Sequence, residues 1–213
     1  MTSPEDSSID PERYHLEPLW AYVRGALGPD ATPTQARAAG LRIHRFKRTH
    51  LARVERVLGL LRGLWPSQLL DIGSGRGAFL WPLLEAFPEL QVTSLERSEL
   101  RAGQLAQVRR GGIERYSVLG ADVCAAPLRD GACEGVTALE VLEHLVDPRP
   151  AARELVRVAR RFVIASVPSK PDDNPEHLRV FSVADLERLF LEAGAARVQI
   201  QHVLNHRIAL VTP

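Results

Sequence analysis

The spacing of apolar positions changes at about Pro66. Before it, apolar residues recur every three or four positions, which predicts amphipathic helices over Pro18–Leu27 and from about Gln35 to Arg62. After it, short apolar runs alternate with helical segments, which is typical of parallel strands joined by helices. The predicted strands of this part are Gln68–Ile72, Gln91–Glu96, Tyr116–Leu119, Gly135–Leu139 and Arg161–Val167.

The end of the chain departs from this alternation. A helix that Ser182 can cap is followed by two strand-like runs, Arg197–Val203 and His206–Val211. The turn between these runs is too short to cross a sheet, so the pair must be antiparallel. We therefore predict an α/β fold: a doubly wound, mostly parallel seven-strand sheet that ends in an antiparallel hairpin. The predicted division is a flexible leader over 1–12, an N-terminal helical cap over 13–50 and a main domain over 51–213.

Composition and charge exclude several classes of protein. The 213 residues carry a net charge of +1, so no overall basicity points to nucleic acid. The acidic, polar start is unlike a secretory signal, and no apolar run approaches the roughly 18 residues of a membrane span. Cys124 and Cys133 fit no metal-ligand spacing and are expected to be reduced thiols. We expect a soluble cytoplasmic protein without a membrane partner.

A glycine-rich segment, Gly73-Ser74-Gly75-Arg76-Gly77, follows the first predicted strand and opens a helix. Glycines at this place let a ligand lie against bare backbone. The segment also fits the relaxed dinucleotide pattern, so a hydride-transferring NAD enzyme is one alternative. Asp71, two residues earlier, is a poor neighbour for a pyrophosphate and suits a ligand that carries an ammonium group, such as the amino-acid end of S-adenosylmethionine.

Two further carboxylates follow the next two strands. Glu96 ends the second strand, where a carboxylate can accept hydrogen bonds from both hydroxyls of a ribose. Asp122 lies beyond the third strand, where it can bind the adenine amino group while Val123 offers its backbone. Carboxyl ends of parallel strands share one edge of the sheet, so the three acids outline amino acid, ribose and adenine in order.

With these residues the chain resembles the class I S-adenosylmethionine-dependent methyltransferases from about Leu51 to Val211. The resemblance rests on the segments 70–77, 94–97, 121–123 and 139–144. It implies the Rossmann-like methyltransferase fold, with a final antiparallel hairpin, and methyl transfer from S-adenosylmethionine to a nucleophile. The cofactor-binding residues that we predict are Asp71, Gly73, Ser74, Gly75, Gly77, Glu96, Arg97, Asp122, Val123 and Glu140.

The acceptor side contains Glu140-Val141-Leu142-Glu143-His144 after the fourth strand, and a Pro-rich loop from Pro168 to His177. In one interpretation Glu140 lines the donor pocket while Glu143 and His144 only cap and pack. In a second, His144 or His177 is a general base, since an imidazole titrates near neutral pH. Glu143, His144 and His177 are the predicted catalytic residues.

In a third interpretation Glu140, Glu143, His144 and His177 hold a divalent metal. This set resembles the metal site of methyltransferases that act on the 3′-terminal ribose of small RNAs. Its Glu-x-x-Glu-His part also resembles the metal-assisted O-methyltransferases of quinone biosynthesis. A divalent metal is therefore possible, but we assign no metal ligand, because this element also occurs in methyltransferases with no known metal.

The predicted helix from Gln35 to Arg62 carries many arginines against one acid, Glu55. It could bind phosphate, in RNA or in an acidic substrate, or it could be a solvated face. We predict methyl transfer to oxygen or nitrogen of a small molecule. The alternatives are a metal-assisted RNA ribose methyltransferase and a non-catalytic binding module. The sequence does not indicate an oligomeric state.

Overall fold

A computed structural model describes residues 9–213 of the chain. Residues 1–8, most of the predicted leader, lie outside the described residues. The α-helices of the described part are α1 (Leu16–Leu27), α2 (Pro33–Ala38), α3 (Ala52–Leu64), α4 (Leu80–Ala86), α5 (Glu99–Arg110), α6 (Arg149–Val158) and α7 (Val183–Glu192). Short 3-10 turns occupy Ile43–Phe46, Val123–Ala125 and Leu142–His144.

The strands form one mixed seven-stranded sheet in the order β3-β2-β1-β4-β5-β7-β6. The pairs among β1 to β5 are parallel, and β7 runs antiparallel to both β5 and β6. The predicted fold class, including the final hairpin, is therefore confirmed. The strands are β1 (Gln68–Ile72), β2 (Gln91–Glu96), β3 (Tyr116–Gly120), β4 (Cys133–Leu139), β5 (Ala159–Pro168), β6 (Arg197–Val203) and β7 (His206–Thr212).

The sheet is buried on both faces. Successive residues of a strand point to opposite faces, so Leu69 packs into one core cluster and Leu70 into the other. The first cluster contains the apolar faces of α1, α3, α4 and α5, and the second contains those of α6 and α7. The parallel strands thus end together at one edge between two helical layers, where open α/β sheets bind their ligands.

The predicted helix from Gln35 to Arg62 is wrong. The chain forms α2, then the 3-10 turn Ile43–Phe46, and only then α3. Gly40 lies in the left-handed region with a φ of 74°, which ends the helical path soon after α2. The buried apolar residues of this stretch therefore lie in separate elements: Ile43 and Phe46 in the 3-10 turn, and Val54 in α3. The continuous basic helix, for which phosphate binding and a solvated face were the two alternatives, is not formed.

Most other boundaries agree with the sequence. β1, β2 and β6 match their predicted bounds, and Ser98 and Ser182 cap α5 and α7 as expected. Ile9 is buried and belongs to the first core cluster, so packed chain begins inside the range predicted as a leader. In the described part, none of the helices has the length and apolar character that crossing a membrane requires.

Candidate functional site

A cleft of about 980 Å³ opens at the carboxyl ends of β1 to β4. The glycine segment after β1 forms its floor, with Gly73 and Gly75 in the left-handed region at φ values of 66° and 55°. A Cβ atom at Gly73 would lie 3.0 Å from Cγ2 of Val141, so glycine also leaves room for the loop after β4. Gly77 has a different role, because it packs against Trp81 and is not among the described residues that line the cleft.

Asp71 is the next-to-last residue of β1 and is 2% exposed. Its carboxylate accepts a hydrogen bond from Oγ of Ser74 and another, of 2.8 Å, from Oγ1 of Thr137. Burial raises the pKa of Asp71 to about 6, although both hydroxyl groups favour the ionised form. The carboxylate borders the cleft, where a cationic group of a ligand would stabilise its charge.

Glu96 ends β2 and is 4% exposed. The backbone N–H of Gly75 donates to its Oε2 at 3.1 Å, and the backbone N–H of Ser98 donates to its Oε1 at 3.0 Å. These two bonds fix the carboxylate between the glycine loop and the start of α5. It borders the cleft, and each of its oxygens keeps a lone pair for a hydroxyl group of a ligand.

The segment after β3 forms the far wall of the cleft. Oδ1 of Asp122 accepts a 2.8 Å hydrogen bond from the backbone of Cys124, which holds the carboxylate at the start of a 3-10 turn. Its Oδ2 lies 4.0 Å from Nη1 of Arg97, whose side chain is largely exposed. Val123, buried beside it, also borders the cleft. The predicted donor residues other than Gly77 therefore line one cavity.

The N-terminal segment covers the glycine loop through Arg45, which is 9% exposed. Its Nη2 donates to the carbonyl of Gly75 at 2.8 Å, and its Nη1 donates to Oε1 of Gln104 on α5. Nε1 of Trp81 donates to the carbonyls of Arg45 and Arg76, at 3.3 and 3.0 Å. The N-terminal segment thus holds the loop from the side opposite the sheet.

Glu140 follows β4 in the left-handed region, with a φ of 57°. Its Oε1 accepts a 3.0 Å hydrogen bond from Oγ of Ser166 on β5, and its Oε2 lies 3.2 Å from Nε2 of His206 on β7. These contacts point the side chain towards β5 and β7. Glu140 borders the cleft but is not part of the cluster that Glu143 forms with two histidines.

The three predicted catalytic residues do come together. Ligand atoms of Glu143, His144 and His177 all lie within 4.8 Å of one another, and the two imidazole rings meet edge to face at 4.8 Å between centroids. Glu143 is fully buried and neither of its oxygens has a hydrogen-bond partner among the described residues. Burial, followed by the charge of Glu140, raises its pKa to about 8, so Glu143 is mostly protonated at neutral pH.

Of these three residues, His144 borders the cleft. Its Nδ1 lies 2.9 Å from the carbonyl of Glu176, and a proton on Nδ1 would donate there and leave Nε2 as an acceptor. His177 lies behind it, with Nδ1 2.8 Å from Oδ1 of Asp172 and Nε2 4.0 Å from Oε1 of Glu143. The geometry gives His144 access to a bound molecule and gives His177 a supporting position.

Sequence reasoning missed several polar partners of the site. Thr137, Ser94 and Ser166 are hydroxyl residues near the ends of buried apolar strands, which is a signal that the sequence does contain. Arg45 and Arg53 were assigned to a solvated or phosphate-binding helix face. No local pattern distinguishes them from neighbouring arginines, because their positions depend on how the N-terminal segment folds over the sheet.

Comparison with known proteins agrees with this geometry. Residues 70–164 match the family model described as "Methyltransferase domain". A malonyl-[acyl-carrier protein] O-methyltransferase of Geobacter sulfurreducens is 32% identical over 107 residues, which cover 49% of this chain and 40% of the relative. The match thus spans less than half of that protein's length.

Two solved structures share the fold at low sequence identity. Magnesium protoporphyrin IX methyltransferase of Synechocystis, with bound SAH, superposes with a TM-score of 0.60 at 19% identity, covering 76% of this chain and 82% of that one. The methyltransferase domain of a bacterial Hen1 protein gives 0.63 at 17% identity, covering 76% and 96%. Residues 70–164 thus match a methyltransferase domain, and the chain shares the fold of these methyltransferases, as its sequence motifs predicted.

Proposed function

We propose that this chain transfers the methyl group of S-adenosylmethionine to an oxygen or nitrogen atom of a small molecule. The observation that carries the proposal is the single cleft that brings together Asp71, the glycine loop, Glu96 and Asp122. Their spacing along one sheet edge suits the amino-acid, ribose and adenine parts of the donor. The relative named malonyl-[acyl-carrier protein] O-methyltransferase supports an oxygen acceptor.

The protein's part in this reaction is to hold two centres in line and to accept a proton where the acceptor carries one. Glu96 would bind the ribose hydroxyls because the backbone amides of Gly75 and Ser98 already fix its orientation. His144 is the proposed base, since it borders the cleft while the carbonyl of Glu176 can hold its Nδ1 proton. His177 and Glu143 would position His144 from behind.

Donor binding is the direct test. Calorimetry should show S-adenosylmethionine and its demethylated product binding to the wild-type chain. Glu96→Ala should weaken both by at least about tenfold, because two hydroxyl groups lose a charged acceptor. Glu99→Ala is the matched control, since Glu99 is an exposed residue in the first turn of α5. Equal affinity of Glu96→Ala and the wild-type chain would contradict the pocket assignment.

The acceptor is then sought by transfer of a labelled methyl group to a panel of small hydroxyl, carboxyl and amine compounds. With a compound that is methylated, His144→Asn should lower kcat by about 100-fold or more if its imidazole removes a proton. A carboxylate acceptor needs no base, so His144→Asn would then have little effect on kcat. Binding of the donor without transfer to any compound would favour a non-catalytic binding module.

A second candidate is metal-assisted transfer, which the cluster of Glu143, His144 and His177 favours. One carboxylate and two imidazoles suit a divalent ion, and both oxygens of Glu143 lack a partner among the described residues. Asp172, 2.8 Å from Nδ1 of His177, is the kind of outer partner that orients a ligating histidine. A bound ion would lower the pKa of an acceptor hydroxyl group.

Thermal unfolding with Mg²⁺ or Mn²⁺ tests this candidate. A rise in melting temperature that His177→Ala abolishes would support it, and Asp173→Asn, an exposed residue of the same loop, is the control. No shift with either ion would contradict it. A shift that persists in His177→Ala would place the ion elsewhere.

A further inference from the structure

An arginine at the start of α3 faces the cleft, and among the described residues no hydrogen bond holds its side chain. The side chain of Arg53 is 19% exposed and borders the cavity. Its Nε is buried and has no hydrogen-bond partner within residues 9–213. A guanidinium group carries five N–H donors in one plane, and leaving such donors unsatisfied away from water is costly.

The neighbouring carboxylate of Glu140 does not accept a hydrogen bond from Arg53. Nε of Arg53 lies 3.8 Å from Oε1 of Glu140, which is an ion-pair distance but too long for a hydrogen bond. Glu140 is already held by Ser166 and His206. Glu140 therefore attracts the arginine to the cleft, while the donors of the arginine remain available to another molecule.

The position of Arg53 separates it from the proposed donor contacts. Asp71 and Glu96 lie at the carboxyl ends of β1 and β2, and Asp122 follows β3, on one side of the cleft. Arg53 stands beside Glu140, which follows β4 and reaches to β5 and β7 on the other side. That side is also where His144 borders the cavity.

Another cation borders the same cavity. Arg42 is an exposed residue at the adjoining turn of the N-terminal segment. It extends the positive charge of Arg53 towards solvent, which would attract an anionic molecule into the cleft.

From this arrangement we propose that Arg53 binds an anionic group, a carboxylate or a phosphate, of the methyl acceptor. The planar guanidinium matches both groups through paired hydrogen bonds. The proposal rests on the proposed function and narrows it to acidic acceptors. Arg53 is thereby a specificity-determining residue and takes no part in the proton transfer.

The test uses two anions as probes, malonate for a carboxylate and inorganic phosphate for a phosphate group. Each is titrated into the wild-type chain saturated with the demethylated donor, and binding is followed by calorimetry or by chemical shifts. We expect saturable binding of at least one probe. Arg53→Gln should weaken that binding by at least about tenfold, and Arg53→Lys should weaken it less, because lysine keeps the charge.

Arg56→Gln is the matched control on the same helix. Arg56 is exposed and already donates a 2.7 Å hydrogen bond to Gln201, so its substitution should leave probe binding unchanged. Probe binding that is absent from the wild-type chain, or equal in Arg53→Gln and the wild-type chain, would overturn the proposal. The preferred probe distinguishes a carboxylate from a phosphate acceptor.

Measuring the affinity for the donor distinguishes a failure of the Arg53 proposal from a failure of the proposed function. Arg53→Gln should bind the demethylated donor as tightly as the wild-type chain does. A parallel loss of donor affinity would assign Arg53 to the donor's own carboxylate and overturn the acceptor assignment. If the wild-type chain binds no donor, the proposed function fails, and probe titrations without donor still show whether Arg53 forms an anion site.

Discussion

Asp71 and Glu96 are both buried at the ends of neighbouring strands, but different donors hold them. Two hydroxyl groups donate to Asp71, whereas two backbone amides donate to Glu96. Hydroxyl groups can reorient and backbone amides cannot, so the carboxylate of Glu96 is the more rigidly placed of the two. A rigidly placed acceptor suits the hydroxyl groups of a ribose. Asp71 can release its proton when a cationic group of a ligand binds beside it.

The raised pKa of Asp71 makes the stability of the ligand-free chain depend on pH. The pKa is about 6 in the folded chain and 3.8 without burial, so the folded state holds the proton more tightly. The contribution of this group to the free energy of unfolding is therefore fully present below pH 3.8. It falls as the pH rises to about 6, by no more than about 3 kcal/mol.

Asp71→Asn should remove this dependence, because an amide does not ionise in that range. Urea unfolding at about pH 4 and about pH 7 should show that the variant gains stability relative to the wild-type chain at the higher pH. Asp173→Asn, at an exposed position, should change the free energy of unfolding by no more than about 0.5 kcal/mol at either pH. Equal effects of Asp71→Asn at both pH values would contradict the raised pKa.

At the scale of elements, the turn between β1 and α4 depends on Trp81. The indole donates to the carbonyls of Arg45 and Arg76 and fills the space beside Gly77. A Cβ atom at Gly77 would lie 2.0 Å from the indole, and its φ of 85° disfavours any side chain. The third glycine of the segment therefore serves packing against Trp81 of α4.

Gly77→Ala should lower the free energy of unfolding by about 2–4 kcal/mol, because the indole must move and the backbone is strained. Gly103→Ala is the control: Gly103 lies exposed in α5 with nothing within 4 Å of its Cβ position. That substitution should raise stability by about 0.5–1 kcal/mol through helix propensity. Urea unfolding measures both. A Gly77→Ala variant as stable as the wild-type chain would contradict this prediction, because the indole would then move without lowering the free energy of unfolding.

Elements with a clear local signal were predictable, and those shaped by packing were not. β1, β2 and β6 match their predicted bounds, because each is a short strand-like segment with turn residues on both sides. The stretch from Gln35 to Arg62 has helical spacing throughout, yet Ile43–Phe46 forms a 3-10 turn. Phe46 leaves the helical path to stack between Tyr22 and Trp81, at centroid distances of 5.1 and 4.8 Å.

At the scale of the whole molecule, the N-terminal segment is an integral part of the fold. α1 packs on α5 at two glycines: a Cβ atom at Gly111 would lie 1.7 Å from the carbonyl oxygen of Ala21, and one at Gly25 would lie 1.8 Å from that of Gln107. Arg45 then connects the same segment to the glycine loop. The cap therefore contacts both α5 and the glycine loop that borders the donor cleft.

Arg45→Gln should weaken binding of the demethylated product by about tenfold. The carbonyl of Gly75 and the side-chain oxygen of Gln104 then each lose a hydrogen bond from a charged group. It should also lower the free energy of unfolding by about 1–3 kcal/mol. Calorimetry and urea unfolding measure the two effects. Lys47→Gln, at an exposed position near by, should change neither. Reduced stability with unchanged donor affinity would limit Arg45 to a structural role.

The sequence by itself determined the sheet, its antiparallel end and the carboxylates at the donor edge. These follow from local signals, since strand period, turn residues and strand ends are read along the chain. Tertiary structure decided which arginines reach the cleft, which glycine serves packing, and that Glu140 points away from the cluster of Glu143, His144 and His177. Those positions depend on contacts between segments far apart in sequence, and local spacing carries no information about them.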